Sequence, residues 1–278
     1  PLRYDQLSIN IGSTPDLSDA AGAQEHAIPV KPIRNFNQRW LNLLQRVQST
    51  RTPLHIAVVG GGAGGIELLL AMQHRLSAYQ PRFSLWTRGA TILPTHNTAV
   101  QNQFMRLLKT RGVDVHCQAA VKAVDAAGLI TNDNQHHTAD EVLWVTRASG
   151  AEWLKKTGLA LDPNGFIEVM DTLQTRTDPH IFAAGDVASM INHPLEKAGV
   201  VAVRQAPVLT HNLRHAIMHR ALKSYQPQRH WLALISTGDQ YAIASRGNFT
   251  ARGRWLWHTK DWIDRRFMQR YNQAFAPY

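Results

Sequence analysis

A glycine pattern near residue 60 has the residue types and spacing that suit phosphate binding. Gly60, Gly62 and Gly65 stand in the order G-x-G-x-x-G, directly after an apolar run at residues 54–59 and before a helical pattern that includes Glu67. Such glycines permit a tight turn and a close backbone approach, and the helix N-terminus that follows offers free N–H groups and partial positive charge. The pattern predicts a diphosphate site; the alternative is a glycine-rich turn without a ligand.

The end of the next predicted strand bears on which nucleotide binds. Sites for NAD usually carry an acidic residue there, about 20 residues past the glycines, which binds the ribose 2′-hydroxyl. This chain has Trp86, Thr87 and Arg88 instead. An arginine without the acid favours a 2′-phosphate, and hence NADPH over NADH. The alternative is that Arg88 is only an exposed surface side chain.

A second candidate site follows the apolar run at residues 181–184, where Gly185 and Asp186 end a predicted buried strand. Ligands of open α/β sheets bind at the carboxyl ends of strands, and a carboxylate there can accept hydrogen bonds from a ribityl or ribose hydroxyl. The next helix begins near Lys197. Its N-terminus would direct positive charge to the same place, which suits the negative charge of a reduced flavin.

Hydrolytic and metal-dependent chemistry find no support in the sequence. No carboxylate or cysteine stands at ligand spacing from the histidines, and no G-x-S-x-G motif is present, so we expect neither a metal site nor a nucleophilic triad. Cys117 is the single cysteine, which excludes an internal dithiol pair and indicates a reducing compartment, the cytoplasm. The histidines considered as ligands are His136, His137, His193, His211, His215 and His219, the last three spaced four apart as on one helical face.

Strand patterns alternate with helix patterns, which predicts an α/β, Rossmann-like two-domain fold with parallel sheets and helical crossovers. No run of 18 apolar residues is present, so we expect no membrane-spanning helix. Residues 16–32 are predicted to be loop. Strands are predicted at 7–11, 54–59, 83–86, 113–117, 142–145, 181–184, 231–235 and 241–245, and helices at 35–48, 66–76, 98–109, about 198–220 and in the tail.

The chain is basic, with 30 Lys and Arg against 20 Asp and Glu and a formal net charge of +10. This balance favours polyanionic partners, but only the charge supports nucleic acid, which we do not expect. The tail carries arginines among apolar residues, so it is either an interfacial helix on anionic lipid or a helix packed on the domain or a partner. Packing is favoured because the arginines do not segregate to one face. The apolar tail residues are Trp255, Leu256, Trp262, Ile263, Phe267 and Tyr271.

Taken together, the motifs resemble the pyridine nucleotide-disulfide oxidoreductase superfamily. Their order is a strand ending in Gly12 and Ser13, then the glycine pattern, then residues 181–186. Within it the chain is most similar to the type II NADH dehydrogenase and sulfide:quinone reductase branch, whose Pro-Lys-x-Gly element beside the isoalloxazine resembles residues 194–199. The run at residues 236–268 resembles dehydrogenase-like proteins found alone or fused to selenophosphate synthetase (selenide, water dikinase).

The resemblance implies an FAD-binding domain interrupted by an NAD(P)H-binding domain. Hydride would pass from nicotinamide to flavin, and the flavin would reduce a quinone or a small chalcogen compound, with no single catalytic side chain. It implies a homo-oligomer, and peripheral membrane contact or a selenophosphate synthetase partner at the tail. The implied domains are 1–51 and 151–225 for FAD, 52–150 for NAD(P)H, and 226–278 for a strand pair and amphipathic tail. Implied FAD contacts are Gly12, Ser13, Gly185, Asp186, Lys197, Ala198 and Gly199, and implied nicotinamide-nucleotide contacts are Gly60, Gly62, Gly65, Glu67, Thr87, Arg88, Thr146 and Arg147.

The chain departs from the family pattern in three ways. Two of them, at Thr87-Arg88 and at Arg147, favour a different hypothesis, a non-catalytic nucleotide-binding or partner-docking module. The N-terminal FAD fingerprint is absent, and we expect it upstream of Pro1. The acidic ribose ligand is replaced at Thr87 and Arg88. The family's Thr-Gly-Ala reads Thr146-Arg147-Ala148, and Arg147 either binds a phosphate or blocks the nicotinamide.

Overall fold

A computed structural model describes residues 3–146, 148–194, 196–228 and 231–272, with side chains through residue 270. The helices are α1 Ala23–His26, α2 Ile33–Ser49, α3 Ala63–Arg75, α4 Thr98–Thr110, α5 Gly199–Ile217 and α6 Arg254–Asn272. The strands are β1 Leu7–Ile9, β2 Thr14–Pro15, β3 Ala27–Pro29, β4 His55–Val59, β5 Arg82–Trp86, β6 Asp114–His116, β7 Val121–Asp125, β8 Gly128–Thr131, β9 His136–Thr138, β10 Glu141–Trp144, β11 Ala148–Ser149, β12 Ile167–Val169, β13 Ile181–Ala183, β14 Ala188–Met190, β15 Ala233–Ser236, β16 Ala242–Arg246 and β17 Phe249–Gly253.

The chain divides into two compact units. The first unit comprises Pro1–Asp16, Lys31–Asn35 and Arg147–Arg229, and the second comprises Leu17–Val30, Phe36–Thr146 and His230–Tyr278. The predicted α/β Rossmann-like fold is confirmed, since parallel strands connected through helices form the main sheet of the second unit. None of the helices in the described ranges combines the length and apolar character needed to traverse a bilayer.

The second unit is built on a five-stranded parallel sheet in the order β3-β10-β4-β5-β6. Side chains of β4 alternate between two cores: Ile56 and Val58 pack with α2, α3 and α4, while Ala57 and Val59 pack with β7 and β8 on the other face. Both faces of the sheet are therefore covered, which explains why the β4 sequence is apolar at nearly every position.

The C-terminal part of the second unit is the antiparallel sheet β15-β16-β17 followed by α6. Leu256 of α6 is buried against Ala242 and Ala244 of β16, which agrees with the favoured packing of the tail. The rest of α6 is more open: Trp255 is 60% and Trp262 58% exposed. Among the residues of α6 whose side chains are described, through residue 270, buried packing is confined to the first turn.

The first unit contains the parallel pairs β1-β13 and β12-β14, the antiparallel pair β2-β11, and helix α5. Its core surrounds β13, where Phe182 and Ala183 are fully buried and contact residues of β12, β14 and α5. Burial on all sides fits the short apolar run from which this strand was predicted.

Residues 16–32 are not the predicted loop. They include α1 and β3, and β3 is a parallel edge strand of the main sheet, with Val142 opposite Ala27 and Leu143 opposite Ile28. Three residues that end in a proline are too short to show a strand periodicity, so the pairing depends on long-range contact with β10. Strand β17 was also missed, and the predicted strand pair is a three-stranded sheet.

The unit boundaries differ from the predicted domains at several places. Leu17–Val30 lie in the second unit, where β3 pairs with β10 of the main sheet. Residues 36–51 lie in the second unit because Phe36, Leu43 and Val47 of α2 join the core around Ile56. The C-terminal sheet also lies in the second unit, since Ile235 of β15 belongs to the same core.

Candidate functional site

In the second unit, the turn after β4 has a backbone shape that only glycine allows. Gly60 has φ +134° and donates its N–H to the Trp86 carbonyl at 2.8 Å. A Cβ on Gly60 would lie 2.3 Å from the Val145 carbonyl oxygen, and one on Gly65 would lie 2.1 Å from the Gly60 carbonyl oxygen. Two of the three pattern glycines are therefore required to fit the strand–turn–helix together.

Gly62 has a different role, because its surroundings are open. It is the N-cap of α3 with φ −77°, and a Cβ there would meet nothing within 4 Å. No side chain caps α3, so its first-turn N–H groups are available to a ligand. An exposed glycine followed by an uncapped 13-residue helix, at the carboxyl edge of a parallel sheet, fits a nucleotide diphosphate.

Thr87 and Arg88 lie beside this turn. The Thr87 N–H donates to the His116 carbonyl at 2.9 Å, and its own carbonyl accepts from Ala119 at 3.0 Å, which fixes the backbone. Thr87 is half-buried and its side chain lies 2.9 Å from a Cβ placed on Gly61, whereas Arg88 is exposed. The ribose-selecting position predicted from sequence is thus adjacent to the glycine turn.

Three further residues, Glu67, Thr146 and Arg147, were predicted to contact the nicotinamide nucleotide. Glu67 is half-buried on α3, and its Oε1 accepts the Ser236 N–H at 2.7 Å, so the side chain is engaged by strand β15. Burial raises the pKa of Glu67, although the Ser236 hydrogen bond partly offsets this. Thr146 is half-buried just after β10. Arg147 lies outside the described residues.

A polar network beneath β5 was missed by the sequence analysis. The Trp86 indole stacks on the His116 ring with centroids 3.7 Å apart, and its N–H donates to the buried Ser84 hydroxyl at 2.9 Å. That hydroxyl also bonds His55 at 2.9 Å. Burial and the neighbouring His137 lower the pKa of His116, which favours its neutral form. The network fixes the end of β5, which leads into Thr87. The sequence did not predict it, because its histidines are far apart along the chain and belong to no motif.

In the first unit, Asp186 follows β13 and is held by two side chains. Its Oδ2 accepts from Lys31 Nζ at 2.8 Å and from the buried Ser13 hydroxyl at 3.0 Å, and Lys31 also donates to Ser13 at 2.9 Å. Burial raises the pKa of Asp186, but the Lys31 hydrogen bond and charge and the Ser13 bond outweigh it, so the pKa is lowered. Asp186 is therefore a held carboxylate. Among the described residues both of its side-chain bonds fall on Oδ2, which leaves Oδ1 for a ligand hydroxyl.

Gly185 shapes the same place. It has φ +76°, and its N–H donates to the buried Gln205 side chain at 2.7 Å. A Cβ on Gly185 would come within 2.9 Å of the Asn10 Oδ1 atom. Glycine is therefore needed here, both for the positive φ and for the space beside Asn10. Lys31, Asn10 and Gln205 were not predicted as site residues, since no local motif marks them.

A small cavity, open to solvent, lies beside Asp186. Lys197 lines it, donating to the Ala188 carbonyl at 2.6 Å and lying 3.9 Å from the Phe166 ring centroid, and burial lowers the pKa of Lys197. Helix α5 begins at Gly199 with no side-chain cap. Leu195, in the segment that resembles the family's flavin element, lies outside the described residues. The cavity is lined by Gly185, Asp186, Ala188, Ser189, Met190, Glu196, Lys197, Ala198, Val201 and Gln205.

These features fit part of a flavin nucleotide site: a hydroxyl acceptor, a half-buried cation and a helix N-terminus surround one cavity. Gly12 is exposed, and a Cβ there would meet nothing within 4 Å. The sequence therefore selected several residues, from Ser13 to Ala198, that the fold of the first unit brings together.

The histidines do not assemble a metal site in the described ranges, where no group of three His, Cys, Asp or Glu side chains is arranged for a metal ion. The His211 and His215 rings of α5 contact each other in a tilted arrangement, with centroids 3.8 Å apart. His219 lies beyond the end of α5, so the three do not share one helical face as the spacing indicated.

Comparison with curated proteins finds related oxidoreductases. The type II NADH:quinone oxidoreductase of Haemophilus influenzae is 26% identical over 287 residues, covering 91% of this chain and 62% of that protein. The demethylphylloquinone reductase NdbB of Synechocystis is 25% identical over 190 residues, covering 67% of this chain and 47% of that protein. The chain thus spans about half to three-fifths of these relatives.

Solved structures share the fold. The sulfide:quinone oxidoreductase of Aquifex aeolicus superposes with a TM-score of 0.76 at 18% identity, covering 96% of this chain and 69% of that one. NDH2 of Plasmodium falciparum, solved with NADH, gives a TM-score of 0.74 at 14% identity, covering 99% and 75%. A family model described as pyridine nucleotide-disulphide oxidoreductase matches residues 1–212. The chain therefore belongs to the pyridine nucleotide-disulphide oxidoreductase family.

Proposed function

We propose that this chain serves an FAD-dependent NAD(P)H oxidoreductase that passes hydride from nicotinamide to flavin and then delivers electrons to a second acceptor. The observation that carries the proposal is the turn at Gly62, which is open, uncapped and set at the carboxyl edge of a parallel sheet. Family membership supports the same function.

At the nucleotide end, the residues of the second unit bind and orient. Gly60 and Gly65 bring the turn and α3 into contact, and Gly62 lets a diphosphate approach the helix N-terminus. Binding energy of this kind holds the reactive ring in a fixed position, which is how a dinucleotide enzyme lowers its barrier. No side chain of the turn has to transfer a proton.

At the flavin end, Asp186 accepts a hydroxyl hydrogen bond through Oδ1 while Lys31 and Ser13 hold Oδ2. Lys197 and the N-terminus of α5 bring positive charge to the cavity, and this stabilises negative charge on a bound group. When bound, FAD supplies the ring that accepts hydride and passes electrons onward.

The class of acceptor rests on the relatives. The H. influenzae and A. aeolicus proteins are named as quinone oxidoreductases, and the second also acts on sulfide. A quinone is therefore the acceptor that these names support, since sulfide is already fully reduced and can only donate electrons. The alternative acceptor that we propose, a small chalcogen compound, rests on the C-terminal resemblance.

The C-terminal resemblance supports a finer proposal, that α6 contacts a partner such as selenophosphate synthetase. Trp255, Trp262, Ile263 and Met268 of α6 are exposed, which leaves apolar side chains on this helix for a partner to contact. Peripheral contact with an anionic membrane, a homo-oligomer and a cytoplasmic location belong to the same proposal. Co-purification with selenophosphate synthetase, compared with sedimentation on anionic vesicles, distinguishes the two partners.

The test of the proposed function is the visible absorption spectrum of the purified natural protein, before and after anaerobic addition of NADPH and NADH. We expect a flavin band that bleaches with at least one donor and returns when a quinone is added. A flavin band that neither donor bleaches would refute hydride transfer. A protein without flavin would refute the role of Asp186.

A further inference from the structure

We propose that the second unit prefers nicotinamide dinucleotides with a 2′-phosphate, and that Arg88 is the residue that selects them. The inference rests on the proposed function for the class of ligand. It concerns only the nucleotide-binding unit, so it can be measured without flavin or an electron acceptor.

The position of Arg88 follows from the sheet register. Strands β4 and β5 are parallel neighbours with Val59 opposite Trp86, so Thr87 and Arg88 follow β5 at the level where the glycine turn follows β4. The Thr87 side chain lies 2.9 Å from a Cβ placed on Gly61, which places the β5 end against the turn. A ribose attached to a diphosphate at the turn reaches this strand end.

The chemistry of the strand end differs from that of an NADH site. There an acidic side chain binds the ribose hydroxyls and repels a 2′-phosphate. Here Thr87 has no charge, and its hydroxyl oxygen accepts the Gly89 N–H at 3.3 Å. The acidic residue of the neighbouring strand β6, Asp114, pairs with Ser84, two positions before the strand end.

The charge at this edge is positive. Residues 87–97 (TRGATILPTHN) and 117–122 (CQAAVK) contain no Asp or Glu and hold Arg88 and Lys122. Arg88 is exposed, and its side chain forms no hydrogen bond or ion pair within the described residues. Its guanidinium group is therefore available, and its planar set of donors matches a phosphate.

The expected effect is a measurable preference. A charge-assisted hydrogen bond is worth about 1.5–3 kcal/mol, so one such bond to the 2′-phosphate gives roughly a 10- to 100-fold tighter Kd. Because Arg88 is exposed, the preference will weaken as salt is raised.

The experiment is calorimetric titration of the chain with ADP-ribose and with 2′-phospho-ADP-ribose, which contain the nucleotide but no nicotinamide ring. We expect tighter binding of the phosphorylated ligand by the wild type, and near-equal binding of both by Arg88→Ala. Arg82→Ala is the matched control, since Arg82 is exposed at the opposite end of β5, and it should keep the preference. Thr87→Asp restores an acid and should favour the unphosphorylated ligand.

Two results would overturn the inference and separate it from the proposed function. Equal binding of both ligands by the wild type, or an undiminished preference in Arg88→Ala, refutes selection by Arg88 and leaves the nucleotide site intact. Failure of the wild type to bind either ligand refutes the nucleotide site itself, and selection with it.

Discussion

Replacing either Gly62 or Gly65 with alanine should damage the protein, but in different ways, because the two glycines differ in their surroundings. A Cβ on Gly65 would lie 2.1 Å from the Gly60 carbonyl oxygen, a separation that real Cβ atoms do not show. A Cβ on Gly62 would meet nothing within 4 Å, at a φ of −77° that alanine adopts freely. Gly65→Ala therefore acts on folding, and Gly62→Ala acts on ligand binding.

The magnitudes follow from these contacts. Overpacking at Gly65 costs about 2 kcal/mol, which lowers Tm by roughly 4–8 °C in a protein of this size. Alanine at the Gly62 N-cap costs less than about 1 kcal/mol. Its methyl group projects into the space that a diphosphate needs, so loss of one charge-assisted hydrogen bond raises Kd for ADP-ribose roughly 10- to 100-fold.

The assay combines thermal unfolding with calorimetric titration of ADP-ribose. Gly64→Ala is the matched control, since Gly64 lies in the same helical turn, has no neighbour within 4 Å of a Cβ, and occupies a free position of the glycine pattern. We expect Gly64→Ala to keep both Tm and affinity. If Gly62→Ala binds ADP-ribose as the wild type does, the turn does not hold the diphosphate and the reasoning fails.

Two further predictions concern charged contacts in the two units. Lys31→Met removes the cation that lowers the pKa of Asp186. In the wild type the stability that the Asp186 carboxylate contributes is present above its pKa in the unfolded chain and is lost as the pH falls through its pKa in the folded state. The variant lacks this contribution, so its acid unfolding should begin at a higher pH, whereas the exposed control Lys156→Met should leave the acid transition unchanged. Arg111→Met removes two contacts, the 2.7 Å hydrogen bond to the Thr237 carbonyl and the 2.6 Å ion pair with Asp239. It should destabilise the second unit by about 1–3 kcal/mol, measured by urea unfolding, and an unchanged midpoint would contradict the stabilising role given to Arg111.

Local sequence was enough to predict the elements that carry the site. The apolar run of β4 followed by glycines predicts a strand, a turn and a helix because each step is local, and α3 then begins at Ala63. The same holds for β13 and Asp186, where a short buried strand is followed closely by Gly185 and Asp186.

What the sequence did not predict depends on distant contacts. Strand β9 has only three residues, and its His136 and His137 were considered as metal ligands rather than as strand residues. Lys31 reaches Asp186 across 155 positions of sequence, and no local pattern indicates such a pair. Edge strand β3 is defined by its partner β10 rather than by its own three residues.

Glu67 follows the glycine pattern in sequence, and in the structure its side chain bonds to strand β15. The glycine pattern gives it a nucleotide-binding role, which stays a prediction, while in the structure its Oε1 accepts the Ser236 N–H at 2.7 Å. Burial raises the pKa of Glu67, so ionisation is less favourable in the folded state than in the unfolded chain. Its charge therefore lowers stability above the folded pKa and has no effect below the unfolded one.

Glu67→Gln keeps the acceptor oxygen and removes the charge. We expect urea unfolding of Glu67→Gln to show equal or greater stability than the wild type at neutral pH, with the difference vanishing in acid. Glu67→Ala leaves the Ser236 N–H without its acceptor and should be less stable at both pH values. If Glu67 instead binds the nicotinamide nucleotide, Glu67→Gln will change the Kd for NADPH while stability stays constant, and the structural role is then refuted.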